Sequence, residues 1–265
     1  MSDVDGAGNL DTGVPHSARL WNYWLGGKEN FAADRAVADQ ILAMVPEMVA
    51  SARADRAYLG RVVRWLAGEA GIRQFLDVGT GIPTAGNTHE VAQRVTPESR
   101  VVYVDNDPLV LAHAQVLLTS DPRGATDYLQ ADLREPGAII AGARRTLDLG
   151  QPVAITMLGI LNFIPDDGEA AAVVARLADA VPSGSYLAIS HPTNEINGET
   201  MEEALRFWNE GPSAKMVLRS AARVRALFGG LELIEPGVVS CSLWRPESEG
   251  AAEPVPHFGG VARKP

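Results

Sequence analysis

The stretch Gln74-Phe-Leu-Asp-Val-Gly-Thr-Gly-Ile-Pro83 decides the fold. Phe75–Val78 is a short apolar run of strand length that enters Gly79-Thr80-Gly81 without a spacer. Glycines after a strand permit a tight turn and let a ligand come up against the backbone. In open α/β sheets, ligands sit beyond the carboxyl ends of the strands, where this turn is expected. A Gly-x-Gly alone serves a purely structural turn as well as a binding one.

Downstream, Val101–Val104, Tyr128–Ala131, Val153–Leu158 and Tyr186–Ile189 repeat the apolar run. Pro108–Leu118 and the alanine-rich Glu169–Ala180 are patterned as helices. Apolar strands alternating with helices predict a parallel sheet covered on both faces. Leu231–Ile234 and Val238–Leu243 flank the turn signal Glu235-Pro236-Gly237, which predicts an antiparallel hairpin at one sheet edge. Upstream, Ala32–Val45 is helical and stops at Pro46. Tyr58, Leu59, Val62, Val63, Trp65 and Leu66 then recur at helical spacing before Gly71. Residues 1–15 and 246–265, rich in Gly, Pro, Glu and Ala, read as tails. Between them lie a helical region over 16–71 and a sheet-forming core over 72–245.

Carboxylates recur at the strand ends. Asp77 stands two residues before Gly79, the second strand ends Val104-Asp105-Asn106-Asp107, and the third ends Gln130-Ala131-Asp132. Singly, each fits a helix cap or a solvated surface. At successive strand ends they converge on one crevice, and a carboxylate after the second strand accepts both hydroxyls of a ribose. NAD needs amide N–H groups for its pyrophosphate and a full G-x-G-x-x-G. Here the sixth position is Thr84, and Pro83 removes an N–H. S-adenosylmethionine instead carries an ammonium and a sulfonium, which carboxylates complement. The charge pattern favours the sulfonium cofactor.

With these motifs in view, the sequence resembles the actinobacterial S-adenosylmethionine-dependent methyltransferase family. The likeness runs through Ala18-Arg-Leu-Trp-Asn-Tyr-Trp-Leu-Gly-Gly-Lys-Glu-Asn-Phe31, Phe75-Leu-Asp-Val-Gly-Thr-Gly-Ile-Pro-Thr-Ala-Gly-Asn-Thr-His89 and Val101-Val-Tyr-Val-Asp-Asn-Asp-Pro108, and covers roughly residues 15–245. It implies a Rossmann-like class I methyltransferase fold: a mostly parallel seven-stranded sheet with a C-terminal antiparallel hairpin and an N-terminal helical extension. It also implies that Asp77, Gly79, Thr80 and Gly81 form the cofactor loop and that Asp105, with Asn106, holds the ribose. Asp132 and Leu133 would then lie beside the adenine, with Leu158 at the end of the fourth strand. The spacing departs from the common pattern in one place. Asn87 with Glu90 reads as the helix start, so that Pro83–Gly86 is an extra loop. This explains why Asp105 lies 24 residues beyond Gly81. The competing reading starts the helix at Pro83.

Composition narrows the function further. The 265 residues carry 33 acidic and 23 basic side chains, a formal charge of −10, so a nucleic-acid partner is not expected. No apolar run approaches the ~18–20 residues of a membrane span, and the start, MSDVDGAGNLDTG, lacks a secretory pattern. The lone Cys241 forms no internal disulfide and no cysteine metal site. A cytoplasmic protein without a metal is expected. H-E-x-x-H, Gly-x-Ser-x-Gly and Walker patterns are all missing, which argues against zinc hydrolases, α/β-hydrolases and P-loop enzymes. The expected reaction is methyl transfer from S-adenosylmethionine to an O, N or C nucleophile of a small molecule. Its rivals are an NAD(P)-dependent oxidoreductase and a non-enzymatic cofactor-binding protein. Such transfer requires mainly positioning and exclusion of water. The one catalytic candidate is His191, which directly follows the fifth strand in Ser190-His191-Pro192.

The segment Trp21–Phe31 holds four of the chain's sixteen aromatic residues. A hydrophobic plug explains Trp21 and Trp24 but not Asn22, Gly26, Gly27, Lys28 and Asn30. The segment is therefore expected to be a lid over the methionine end of the cofactor, with Tyr23 and Asn30 facing the site.

Overall fold

The computed structural model describes residues 11–110, 113, 120–247, 250 and 252–265. Helices α1 (Ser17–Trp24), α2 (Ala32–Met44) and α3 (Met48–Gly68) precede strand β1 (Gln74–Val78). Helix α4 (Thr88–Val95), β2 (Arg100–Asp105), β3 (Ala125–Gln130) and α5 (Pro136–Ala143) follow, then β4 (Ala154–Leu158), α6 (Asp167–Asp179) and β5 (Tyr186–Pro192). The C-terminal part holds α7 (Gly198–Glu210), α8 (Ala221–Leu227), two-residue strands β6 (Glu232–Leu233) and β7 (Val239–Ser240), and β8 (His257–Arg263). Of the helix expected over Pro108–Leu118, residues 108–110 and 113 are helical and the remainder lies outside the described residues. So do residues 1–10 of the expected N-terminal tail.

The sheet runs β3-β2-β1-β4-β5-β8-β6, with β7 also on β8. Strands β1 to β5 are parallel; β1, β2, β4 and β5 are buried on both faces, as such a sheet predicts, whereas the edge strand β3 is half-buried. Successive side chains feed opposite layers: Leu76, Val78, Val102 and Val104 pack under α5, α6 and α8, whereas Phe75, Val101 and Tyr103 pack under α3 and α4. A third cluster joins α1 and α2 to α7 through Leu20, Trp24, Ile41, Met201 and Trp208. No helix of the described residues is long and apolar enough to cross a membrane.

Two expectations for the C-terminal part are corrected. The stretch read as a C-terminal tail holds a strand at 257–263, because β8 pairs antiparallel with β5 from Tyr186↔Arg263 to Pro192↔His257. Nor do β6 and β7 form a hairpin together. Both pair antiparallel with β8, Leu233 opposite Ala262 and Val239 opposite Gly259. They therefore run in the same direction, as two pieces of one edge position, and Glu235-Pro236-Gly237 is a kink between them. Counted by position, the sheet of the described residues has the seven strands expected, with its antiparallel end built around β8.

Candidate cofactor site

Strand β1 enters a turn in which Gly79 and Gly81 take φ of +79° and +65°, a region that favours glycine. At Gly79 a side chain is also sterically excluded, since a Cβ would fall 2.5 Å from the Ile160 side chain. A Cβ on Gly81 would meet nothing within 4 Å, so the backbone there faces open space. Asp105 closes the turn from β2. Its Oδ2 accepts from Gly81 N at 2.8 Å and its Oδ1 from Asp107 N at 3.0 Å.

A cavity of about 200 Å³ opens beside this turn at the carboxyl ends of the strands. The structure brings Asp77, Gly79, Thr80, Gly81, Asp105 and Asn106 to its wall, together with Asp132, Leu133 and Leu158. Asp77 is the most constrained of these. It is buried, and its two oxygens accept from Thr88 Oγ1 at 2.6 Å and Thr156 Oγ1 at 2.7 Å, tying β1 to α4 and β4. Burial pushes its carboxyl above the ordinary range, while the two hydroxyl donors and Arg56 oppose the shift. Thr156→Val keeps the shape and leaves one carboxylate oxygen without its donor. It is expected to cost about 1–3 kcal/mol, read as a lower urea midpoint at unchanged slope. An unchanged midpoint would show that this hydrogen bond contributes nothing.

Helix α4 starts at Thr88 with Asn87 as its N-cap residue, so Pro83–Gly86 is indeed an extra loop. Arg56 of α3 holds that loop through Ala85 O at 3.3 Å and Asn87 Oδ1 at 2.9 Å. The amides near the helix start are already engaged. Thr84 N donates to Asn87 Oδ1, Gly86 N to Glu90 Oε2 and His89 N to Tyr103 Oη. A pyrophosphate would need those donors free. The cavity wall instead presents four carboxylates, from Asp55, Asp77, Asp105 and Asp132. The guanidinium of Arg134 is turned away to Glu169 and the Phe163 carbonyl. The residues present fit a cationic adenosyl cofactor and not a dinucleotide.

The N-terminal segment reaches the cavity, but not through the residues expected. It is helical, and Ala18, Trp21, Asn22 and Leu25, three or four apart, form the face that lines the cavity. Tyr23 lies off that face and donates its hydroxyl to Asp39 at the surface. Asn30 donates to Asn22 Oδ1 and to the Gly27 carbonyl, each at 3.0 Å, so it folds the turn after α1. Gly27 is needed because a Cβ there would lie 2.3 Å from Asn22 Nδ2. Neither Tyr23 nor Asn30 faces the site. His16, Asp55, Arg56, Gly159 and Phe163 line it instead, and the sequence reading missed them. The glycine after β4, at φ +59°, repeats the strand-then-glycine signal of β1 and is the one of these that a motif search finds.

His191 is likewise corrected. It is wholly buried on β5, with Nδ1 against Pro192 O and Nε2 accepting from Arg219 Nη1, both at 2.8 Å. Burial, reinforced by the Arg219 charge, pushes its pKa down to about 3. With both nitrogens committed, it is a structural histidine.

A glycine turn at the switch point of a mostly parallel sheet, an acidic residue after the second strand and a cavity suited to a cationic adenosyl group define the Rossmann-like S-adenosylmethionine-dependent methyltransferases. The chain belongs to the S-adenosyl methyltransferase family, whose profile matches residues 4–265. A DUF574 family protein from Streptomyces avermitilis is similar to it at 45% identity and a TM-score of 0.93, over 97% of this chain and 100% of that one. A Thermobifida fusca protein described as a candidate methyltransferase shares 40% identity, with a TM-score of 0.90 and 99% of each chain covered. The N-methyltransferase NodS of Bradyrhizobium japonicum, in complex with S-adenosyl-l-homocysteine, is similar in fold alone. It shares 13% identity over 81% of this chain and 88% of that one, at a TM-score of 0.50. No curated protein matches the chain.

Proposed function

We propose that this methyltransferase acts on a small molecule, at an O, N or C nucleophile. The observation that carries the reading is a second cavity, of about 70 Å³, which shares Ser17, Trp21, Gly159 and Phe163 with the wall of the first. An acceptor in it would abut the cofactor cavity, and the space suits a compact group. The chain's charge of −10 works against a polyphosphate acceptor.

When bound, S-adenosylmethionine supplies an electrophilic methyl group. In our reading the Gly79–Gly81 turn and Thr80 cradle it, Asp105 and Asn106 receive the ribose hydroxyls, and Asp132 and Leu133 flank the adenine. Asp77 and Leu158 close the floor. Trp21 and Asn22 of α1, with Leu25 just after it, cover the cavity and exclude water, which favours transfer over hydrolysis.

Asp105→Ala tests the site. It removes charge-assisted bonds of ~1.5–3 kcal/mol each, so cofactor affinity by calorimetry is expected to fall about tenfold or more. Tyr23→Phe, off the cavity-lining face, is expected to leave affinity unchanged. Equal affinity in Asp105→Ala and wild type would reject the strand-end assignment. Cofactor binding without turnover across a broad panel of small nucleophiles would favour the non-enzymatic rival.

A further inference from the structure

The second cavity is mostly apolar. Trp21, Trp24, Phe163, Met201, Trp208 and Met216 stand in its wall beside further aliphatic side chains. At the junction with the first cavity stands His257, on β8 and 3% exposed. Its ring meets Trp21 edge-on at 5.8 Å between centroids. Its Nε2 lies 3.7 Å from Asp55 Oδ1, too far for a hydrogen bond, and both atoms are buried without a hydrogen-bond partner among the described residues. Asp55 lines the first cavity and His257 the second, so the pair spans the junction where acceptor and cofactor would meet. Asn162 Oδ1, another cavity group without a partner among the described residues, adds an acceptor to the same wall.

Buried polar atoms left unsatisfied are uncommon and call for a role. A structural histidine has its nitrogens engaged, as His191 on the neighbouring strand does. We propose that His257, oriented by Asp55, is the general base of the transfer, and that the acceptor is a small apolar hydroxyl compound of at most one ring. This rests on the small-molecule methyltransferase reading above. The acceptor oxygen forms its bond to the methyl carbon as the carbon–sulfur bond breaks, and that bond's electron pair stays on the sulfur of S-adenosylhomocysteine. The hydroxyl proton passes to Nδ1 of His257, whose Nε2 side faces Asp55, and from there to water. Among the described residues one titratable group faces the imidazole, Asp55 from α3; His191 pairs opposite Phe258 and so points, with Arg219, to the other face of the sheet. Burial pushes the His257 pKa down against the pull of Asp55, which keeps the ring uncharged and able to accept at neutral pH. Aromatic and thioether walls favour a ring, and methionines adapt to its outline.

Calorimetric titration of the cofactor-free, full-length protein uses phenol and toluene as probes. Saturable phenol binding is expected, weakened about fivefold or more in His257→Gln, with toluene bound alike by both proteins. S-adenosylmethionine binding is measured on the same samples, and its failure would strike the methyltransferase reading itself. Cofactor binding without phenol binding, or phenol binding indifferent to His257→Gln, overturns the assignment of the base. With cofactor present, phenol methylation by His257→Gln is expected to fall about 100-fold or more at unchanged KM for S-adenosylmethionine. The acid limb of the wild-type kcat/KM profile should vanish with it. A variant rate near that of wild type overturns the proposal. If the variant does not fold, the wild-type His257 ring resonances decide: they shift with phenol and not with toluene, and an equal response to both overturns it.

Discussion

A chain ended at Pro256 is expected to lose its cooperative unfolding transition altogether. The deleted residues include all of β8, which stands between β5 on one side and both β6 and β7 on the other. Its loss removes a ladder seven pairs long against β5 and strips the two short strands of their only strand partner among the described residues. It also uncovers both core layers. Tyr58 of α3 donates its hydroxyl to Gly260 O at 2.7 Å, and Val261 and Ala262 are fully buried. Two-residue strands have no independent stability, and the loss exceeds the ~5–15 kcal/mol that holds a typical domain together. Urea titration followed by circular dichroism checks this. A truncated protein with a native-like transition would show that the sheet holds without β8.

The same strand shows where sequence reading stops. The parallel strands β1, β2, β4 and β5 are legible because helices cover both faces, so each reads as an apolar run; β3, at the sheet edge and half-buried, carries a weaker pattern. Strand β8, His257-Phe-Gly-Gly-Val-Ala-Arg263, interrupts its run with two glycines and follows a stretch rich in proline and glutamate. Those glycines are there for space. A Cβ on Gly259 would lie 2.8 Å from the Tyr58 ring, and one on Gly260 3.0 Å from Val238. Aromatic and apolar side chains from the two layers press on adjacent strand positions, and glycine is what admits them. The information sits in Tyr58, some two hundred residues upstream, where no local pattern reveals it.

The candidate site divides the same way. Its strand-end half is local: a glycine turn and an aspartate sit directly after an apolar run, and the sheet brings such ends together wherever the helices lie. The α1 half depends on helical phase. Treating Trp21–Phe31 as a lid weighs every polar residue alike, whereas a helix selects Ala18, Trp21, Asn22 and Leu25 and turns Tyr23 away. Asn22, Gly27 and Asn30, which an apolar plug leaves unexplained, fold one turn among themselves. His257 escapes because it lies on the strand that was read as a tail, and His191, one register step away on β5, carries the decoy signal.

Arg219→Leu is expected to cost about 3–5 kcal/mol, the loss typical of breaking a buried charged network from one side. Arg219 has no exposed surface, and its guanidinium donates to the Leu161 and Ile164 carbonyls at 2.9 and 2.7 Å. It also donates to His191 Nε2 and, through Nε, to Asp167 Oδ1, each at 2.8 Å. Leucine fills part of the volume but leaves two carbonyls and an imidazole nitrogen buried and unpaired. Arg219→Lys keeps the charge without the planar fork and should fall between. Because the segment from Gly159 to Ile164 walls the cofactor cavity, S-adenosylmethionine binding should weaken along with stability. The pH dependence carries a second signature. His191 titrates near 3 in the fold against an ordinary 6.5, so between those values the unfolded chain binds the extra proton. Wild-type stability therefore falls as pH drops through that window. Without the Arg219 charge beside it, imidazolium is less opposed, and the His191 contribution to that slope should shrink in Arg219→Leu. Urea midpoints at pH 7 and pH 5 measure both effects. A loss under about 1 kcal/mol, with an undiminished pH slope, would mean that neither the carbonyls nor His191 depends on this guanidinium.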